Sequence, residues 1–193
     1  LINKNVNLML RLINQLMDFR KIQTGKLNLN LSFEPIFPFL KEILYSFQDF
    51  AKTHKIEYSF VNRAVTESMY FDKDKLEKIL YNLLSNAFKY TPNEGKITVM
   101  LSEKQDEQDK ANNFLEISIK NTGHGIDEKN LKNIFDRFYQ GNDQSKDSKA
   151  GSGIGLSLVK NLIELHKGYI SVNSKKEKYT EFIVGIPLND VYS

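Results

Sequence analysis

Leu76-Glu-Lys-Ile-Leu-Tyr-Asn-Leu-Leu-Ser-Asn-Ala-Phe-Lys-Tyr-Thr-Pro92 is the stretch whose reading decides the fold. Its apolar residues Leu76, Ile79, Leu80, Leu83, Leu84 and Ala87 recur at three- and four-residue spacing, which predicts a helix with one buried face. Asn82 and Asn86 stand four apart, one turn from each other on a single face. Asn is a mediocre helix former. Two of them inside so periodic a helix either serve a purpose other than folding or are exposed polar residues on its solvent side.

Working outward toward the N-terminus, Asp72 or Asp74 can cap this helix. Ile56 to Val61 and Ser68 to Asp72 read as two short strands. Before them, Phe39, Leu40, Ile43, Leu44, Phe47, Phe50 and Ala51 predict one helix with a broad apolar face, entered at Pro35 and Pro38 and ending near His54. Leu27, Leu29, Leu31 and Phe33 alternate with polar residues, the period of a half-buried strand. At the start, Ile2, Val6, Met9, Ile13 and Leu16 form a seam widened by Leu12, Met17 and Phe19, the pattern of a helix in a bundle. Gly25 is its expected stop. A lone helix of that length is not stable in water, so it implies partner helices. The chain starts without Met in mid-helix and reads as a piece of a longer protein.

Toward the C-terminus, Pro92 to Gly95 breaks the helix, and Ile97, Val99 and Leu101 begin a strand. Glu103 to Asn113 reads as a hairpin tip, with Leu115, Ile117 and Ile119 returning. That strand runs into Asn121-Thr-Gly-His-Gly-Ile126, whose glycines permit close approach to a ligand or make an ordinary turn before a helix capped by Asp127. Ile134, Phe135 and Phe138 precede a long aperiodic polar stretch, Tyr139 to Ala150, which reads as a lid or binding loop. It ends in Gly151-Ser-Gly-Ile-Gly-Leu156, opening a helix over Leu158 to His166. Glycines at a helix start expose its unpaired N–H groups, which attract phosphate. No strand directly precedes these glycines and no Lys-Ser/Thr follows them, so neither the dinucleotide fingerprint nor the Walker loop applies. Tyr169 to Ser174 and Glu181 to Pro187 are the last strands. The layout is an α+β two-layer sandwich, a mixed sheet of five or six strands with helices on one face, preceded by one long bundle-type helix.

Composition narrows the field. The 193 residues are 40% apolar and 26% charged with no cysteine, which suits a soluble globular protein without disulfides or thiolate zinc sites. A formal charge of +3 argues for no nucleic-acid partner. No apolar run reaches the ~18 residues of a membrane span.

Three elements in this order carry a resemblance: Asn82-x-x-x-Asn86-Ala-x-Lys89-Tyr90, the Gly123-x-Gly125-Ile126 turn after a strand, and Gly151-x-Gly153-x-Gly155-Leu156 opening a helix behind a lid. With Ile134-Phe-Asp-Arg-Phe138 they resemble the N, G1, G2 and F boxes of the catalytic ATP-binding domain of bacterial sensor histidine kinases, a Bergerat fold. The leading helix, ending Leu16-Met-Asp-Phe-Arg-Lys21, is similar to the second helix of that family's dimerisation hairpin. The whole resembles hybrid two-component sensors of Bacteroides type. The resemblance implies two parts, residues 1–25 as part of the hairpin and residues 26–193 as the catalytic domain.

It also implies the ligands, ATP and Mg²⁺, and a role for each residue. Asn86 would bind Mg²⁺, with Asn82 supporting the phosphate–metal cluster one turn earlier. Lys89 would approach the phosphates and Tyr90 would lie against the adenine. Gly123, Gly125 and Ile126 would line the base and ribose. Arg137 would contact phosphate or be a surface charge beside Asp136. Gly151, Ser152, Gly153, Gly155 and Leu156 would present amides to the phosphates, and Thr180 would hydrogen-bond near the adenine, although Tyr179 replaces the usual preceding Gly. Asn121 stands where the family usually has Asp, so the bond to the adenine amino group should be weaker by about 1 kcal/mol.

Asn82 occupies the position where ATPase members carry a water-activating Glu, so the resemblance implies a kinase. The acceptor histidine would lie upstream on the hairpin's first helix, since His54, His124 and His166 read as surface or turn residues. This chain alone would therefore not phosphorylate itself. A homodimer through the hairpin, a response regulator receiver domain as partner, and a cytoplasmic place beneath an inner-membrane sensor complete the expectation. The alternatives are a degenerate, non-catalytic signalling module and a Bergerat-fold kinase acting on protein serine.

Overall fold

The structure, a computed structural model, describes residues 27–105, 113–139 and 153–188, together with residues 17, 20, 21, 24 and 25. Most of the leading seam lies outside the described residues. Its end is visible, with helix at Met17, Arg20 and Lys21 and Gly25 in the left-handed region at φ 63°.

The elements are β1 (Ser32–Pro35), α1 (Ile36–Tyr45), α2 (Gln48–Thr53), β2 (Glu57–Asn62), β3 (Ser68–Phe71), α3 (Lys73–Tyr90), β4 (Lys96–Gln105), β5 (Asn113–Thr122), α4 (Glu128–Leu131), α5 (Gly155–Leu165), β6 (Tyr169–Lys175) and β7 (Tyr179–Pro187). Five strands form a mixed sheet in the order β2-β4-β5-β7-β6, with β2 parallel to β4 and the other neighbours antiparallel. Among the described residues β1 pairs only with β3, in a separate two-stranded ribbon.

Side chains two apart share a sheet face. Ile97, Val99 and Leu101 of β4, Leu115, Ile117 and Ile119 of β5, and Phe182, Val184 and Ile186 of β7 are all buried. They meet the apolar stripes of α3 and of α5, which contributes Leu158, Val159, Leu162 and Ile163. The predicted stripe of α3 is buried along its whole length. Asp72, not Asp74, caps this helix, its carboxylate accepting from the Lys75 amide at 3.1 Å.

Two expectations are corrected. The alternation of Leu27 to Phe33 makes a strand only from Ser32, because β3 offers four partners and ends opposite Ser32. The single helix expected from Phe39 to His54 is two. Ser46 turns its hydroxyl onto the Ile43 carbonyl at 2.7 Å, and this side-chain competitor for the backbone ends α1. Phe47 then stacks on Phe88 of α3 at 5.2 Å, fixing where α2 begins.

Candidate nucleotide site

Period-2 geometry brings the first part of the site together. Asn121 continues the inward face of Ile117 and Ile119 and is directly paired with Thr180 of β7. It is only 4% exposed. Its amide donates to the Thr122 carbonyl at 3.1 Å. Thr180 is also buried, and its hydroxyl lies 3.1 Å from the hydroxyl of Ser174. Ser174 donates to the Tyr179 carbonyl and accepts from the Ile126 amide, both at 2.8 Å. With its single proton committed to Tyr179, Ser174 receives the proton of Thr180, which leaves the Thr180 oxygen with acceptor capacity. Ser174 is a member of this cluster that the sequence pattern does not single out, since an isolated Ser in a strand has no motif around it.

The glycine turn packs tightly between the β6–β7 hairpin and the end of α3. A Cβ on Gly123 would sit 2.3 Å from the Tyr90 carbonyl oxygen. Gly125 has φ 67°, and a Cβ there would come within 2.3 Å of the Lys175 carbonyl oxygen. Only glycine fits either place. Asp127 caps the short α4 that follows, as its position predicts.

The second part lies between α3 and α5. Asn82, at 9% exposure, is buried rather than on the solvent side, and its amide donates to the Lys78 carbonyl at 2.7 Å. A Cβ on Gly155 would lie 2.9 Å from the Asn82 Oδ1. The helix carrying the two asparagines thus abuts the N-terminus of the helix opened by the glycines. That N-terminus has no side-chain cap and no acidic residue in its first turn. The positive end of a helix dipole favours an anion at such a terminus. Asn86, one turn after Asn82, is half-buried.

Lys89 points its Nζ at the Tyr90 hydroxyl, 3.0 Å away and 4.7 Å from the ring centre. Tyr90 is 56% exposed. Phe135 turns inward onto Phe182, edge to face, whereas Phe138 is 66% exposed and Arg137 is on the surface. The Phe138 amide donates to the Gly153 carbonyl at 2.9 Å, which holds residues 138 and 153 together. Gly151 and Ser152 lie outside the described residues, as does most of the expected lid.

His166 corrects the expectation for the three histidines. It is fully buried at the end of α5, its Nδ1–H donating to the Leu162 carbonyl at 2.7 Å. Burial holds its pKa below the usual histidine value, so the ring is neutral. His54 and His124 are turn and surface residues, with His124 donating to the Glu177 carboxylate at 3.2 Å.

Among the described residues no group of three or more His, Cys, Asp or Glu could hold a metal. A divalent cation here would be held by a neutral oxygen of Asn86 and by the oxygens of a phosphate ligand. That donor set fits Mg²⁺, which keeps waters and binds through few protein ligands.

The sequence family of histidine kinase-, DNA gyrase B- and HSP90-like ATPases matches residues 71–190. Histidine kinase P4 of Formosa agariphila is 40% identical over 190 residues, covering 97% of this chain and 13% of that protein. The full-length histidine kinase ShkA, solved in complex with AMPPNP, superposes with a TM-score of 0.78 at 23% identity, over 95% of this chain and 36% of that one. Histidine kinase ThkA, solved with the response regulator protein TrrA, gives 0.69 at 20% identity, over 100% and 53%. These two solved structures share the fold. The chain thus spans about an eighth of the length of that curated relative.

Proposed function

The chain belongs to the family of histidine kinase-, DNA gyrase B- and HSP90-like ATPases, on its sensor histidine kinase branch, and from that premise we propose that the cleft between α3, α5 and the β5 end binds Mg-ATP. In this reading the domain passes the γ-phosphoryl group to a histidine on a dimerisation helix, and from there to a response regulator receiver domain. The observation that carries it is the seating of Asn82 against Gly155, at a helix N-terminus without acid or cap.

Each residue then has a task. Asn121 accepts the adenine amino group through its oxygen, and Thr180 offers a second acceptor beside it. The backbone of Gly123 and Gly125 and the side chain of Ile126 line the base and ribose. Tyr90 covers the adenine, and Lys89 leaves its ring to meet the phosphates. Asn86 holds Mg²⁺ and Asn82 orients that cluster. The amides of Gly151, Ser152, Gly153, Gly155 and Leu156 receive phosphate oxygens, with Arg137 as a further cation. Magnesium, when bound, neutralises the charge gathering on the transferred group. Asn82 cannot take a proton from water, so the bound triphosphate is kept for a protein nucleophile instead.

Residues 1–25 belong in this reading to the dimerisation hairpin and residues 26–193 to the catalytic domain, working as a homodimer. No helix among the described residues is long and apolar enough to cross a membrane. The domain would work on the cytoplasmic side of an inner-membrane sensor. The test is transfer in trans. The chain and γ-labelled Mg-ATP, mixed with a dimerisation hairpin carrying an acceptor histidine, should label the hairpin with an acid-labile, base-stable phosphate. The chain alone should take up no label. Label on this chain in the absence of the hairpin, or none on either, would refute the assignment.

A further inference from the structure

α3 and α5 pack against each other. At the cleft, Asn82 of α3 meets Gly155 of α5. Ten residues before Asn82 stands the cap of the same helix, Asp72. At 1.5 Å rise per residue the cap and Asn82 are roughly 15 Å apart along one continuous helix.

The start of α3 is built on one carboxylate. Asp72 is 2% exposed. Its Oδ1 accepts from the Lys75 amide at 3.1 Å and caps α3. Its Oδ2 accepts from Lys75 Nζ at 2.6 Å and from the Asn30 amide at 2.7 Å. Asn30 sits five residues after Gly25, in the segment that leaves the leading helix. Among the described residues that segment has no ladder partner before Ser32. Leu27, which packs on the core, and the Asn30–Asp72 bond hold it to the domain. A helix cap alone needs one oxygen. The second oxygen is shared between the Lys75 ammonium and the linker amide, and the carboxylate is buried.

We propose that Asp72 is a positioning residue that couples the linker, residues 27–31, to the nucleotide cleft through α3, the helix that it caps and that carries Asn82. The coupling rests on reading that cleft as a nucleotide site. A displacement of the leading helix that pulls Asn30 away strips a donor from a buried carboxylate. The remaining donors are Lys75 Nζ and the Lys75 amide, so the carboxylate shifts toward them and takes the first turn of α3 with it. Coupling between two sites is reciprocal. The expected sign is that a loosened first turn of α3 weakens the cleft, so that nucleotide bound at the Asn82–Gly155 end tightens the Asn30–Asp72 bond.

The experiment is amide hydrogen exchange on the whole chain, with and without a saturating magnesium complex of a non-hydrolysable ATP analogue, alongside calorimetric titration of the same analogue. In the native chain the Asn30 amide should exchange at least fivefold more slowly with nucleotide bound. In Asp72→Ser the hydroxyl still caps α3 but has no second oxygen for Asn30, and the slowing should vanish. A purely structural role for Asp72 would change the resting rates without removing a nucleotide-dependent difference. Asn30→Pro deletes the same bond from the linker side, and the Lys75 amide should then exchange at least threefold faster than in the native chain. Heat of binding without slowing at Asn30, slowing that survives Asp72→Ser, or an unchanged Lys75 rate in Asn30→Pro would each overturn the coupling alone. Absence of any heat would overturn the nucleotide reading, and the coupling with it.

Discussion

The Oδ1 of Asn82 lies 2.9 Å from the place that a Cβ on Gly155 would take. The side chain of one box is therefore shaped by the missing side chain of another, 73 residues further along the chain. A contact tighter than ordinary carbon–oxygen packing cannot absorb an added methyl without moving the carboxamide.

Gly155→Ala tests that relation. The added Cβ pushes Asn82 off its bond to the Lys78 carbonyl and crowds the first amides of α5. Nucleotide affinity, read by calorimetry, should fall about tenfold, which is about 1.4 kcal/mol. Thermal stability should hardly change, because Ala is the better helix former.

Asn121→Asp should move affinity and stability in opposite directions. The carboxylate would accept the adenine amino group as a charge-assisted bond and tighten nucleotide binding several-fold. It would also lose the donor to the Thr122 carbonyl and bring a buried negative charge against that oxygen, at a cost of about 1–3 kcal/mol of stability. Calorimetry and denaturant unfolding of the same variant read the two effects. A variant that binds no better than the native chain would mean that Asn121 does not face the base.

Stability should decline with acid in two stages. Burial depresses the pKa of His166, so below about pH 6.5 the unfolded chain binds a proton that the folded chain refuses. Stability is full above that value and falls as pH drops through it, by at most about 1.4 kcal/mol per pH unit. Asp72 adds the second stage. Its burial alone would raise its pKa, but the bonds from Lys75 and the Asn30 amide outweigh that and hold it below the usual carboxylate value. Its contribution is present above about pH 4 and is lost as pH falls further. Urea unfolding across this range should show both stages, and His166→Gln should remove the first.

Much of this arrangement is legible in the sequence, for reasons that differ by residue. The stripe on α3 is a local 3.6-residue period, and the structure buries every member of it. The inward turn of Asn121 continues the period-2 face of Ile117 and Ile119, but its pairing with Thr180 was not legible, because the strand expected from Glu181 begins at Tyr179 and alternation does not fix register. The break at Ser46 was not legible, because one hydroxyl competing for one carbonyl leaves the apolar period of α1 and α2 intact across it. The short β1 was not legible either, since alternation fixes faces but not whether a neighbouring strand exists to pair with. His166 next to Gly168 looks like a turn residue, and only the packing of α5 on α3 shows it to be buried. Ser174 carries no motif. Its role comes from the hairpin bringing it beneath the Ile126 amide.

Leu83→Ala probes the shared core beneath the cleft. Leu83 is fully buried next to Asn82, and truncation should cost about 2–5 kcal/mol. At denaturant concentrations where the variant remains folded, nucleotide affinity should stay within a few-fold, because the polar faces of Asn82 and Asn86 are untouched. Denaturant midpoints and calorimetry together separate the two readouts.

The most direct measurement is a calorimetric titration of an ATP analogue into the chain, with magnesium and with a chelator, repeated on Asn86→Ala. Single-site binding that weakens when magnesium is removed, and a variant whose remaining affinity no longer depends on the metal, are the predicted results. No heat from the native chain, or an unchanged magnesium dependence after Asn86 is truncated, would contradict the placement of the metal and nucleotide in this cleft.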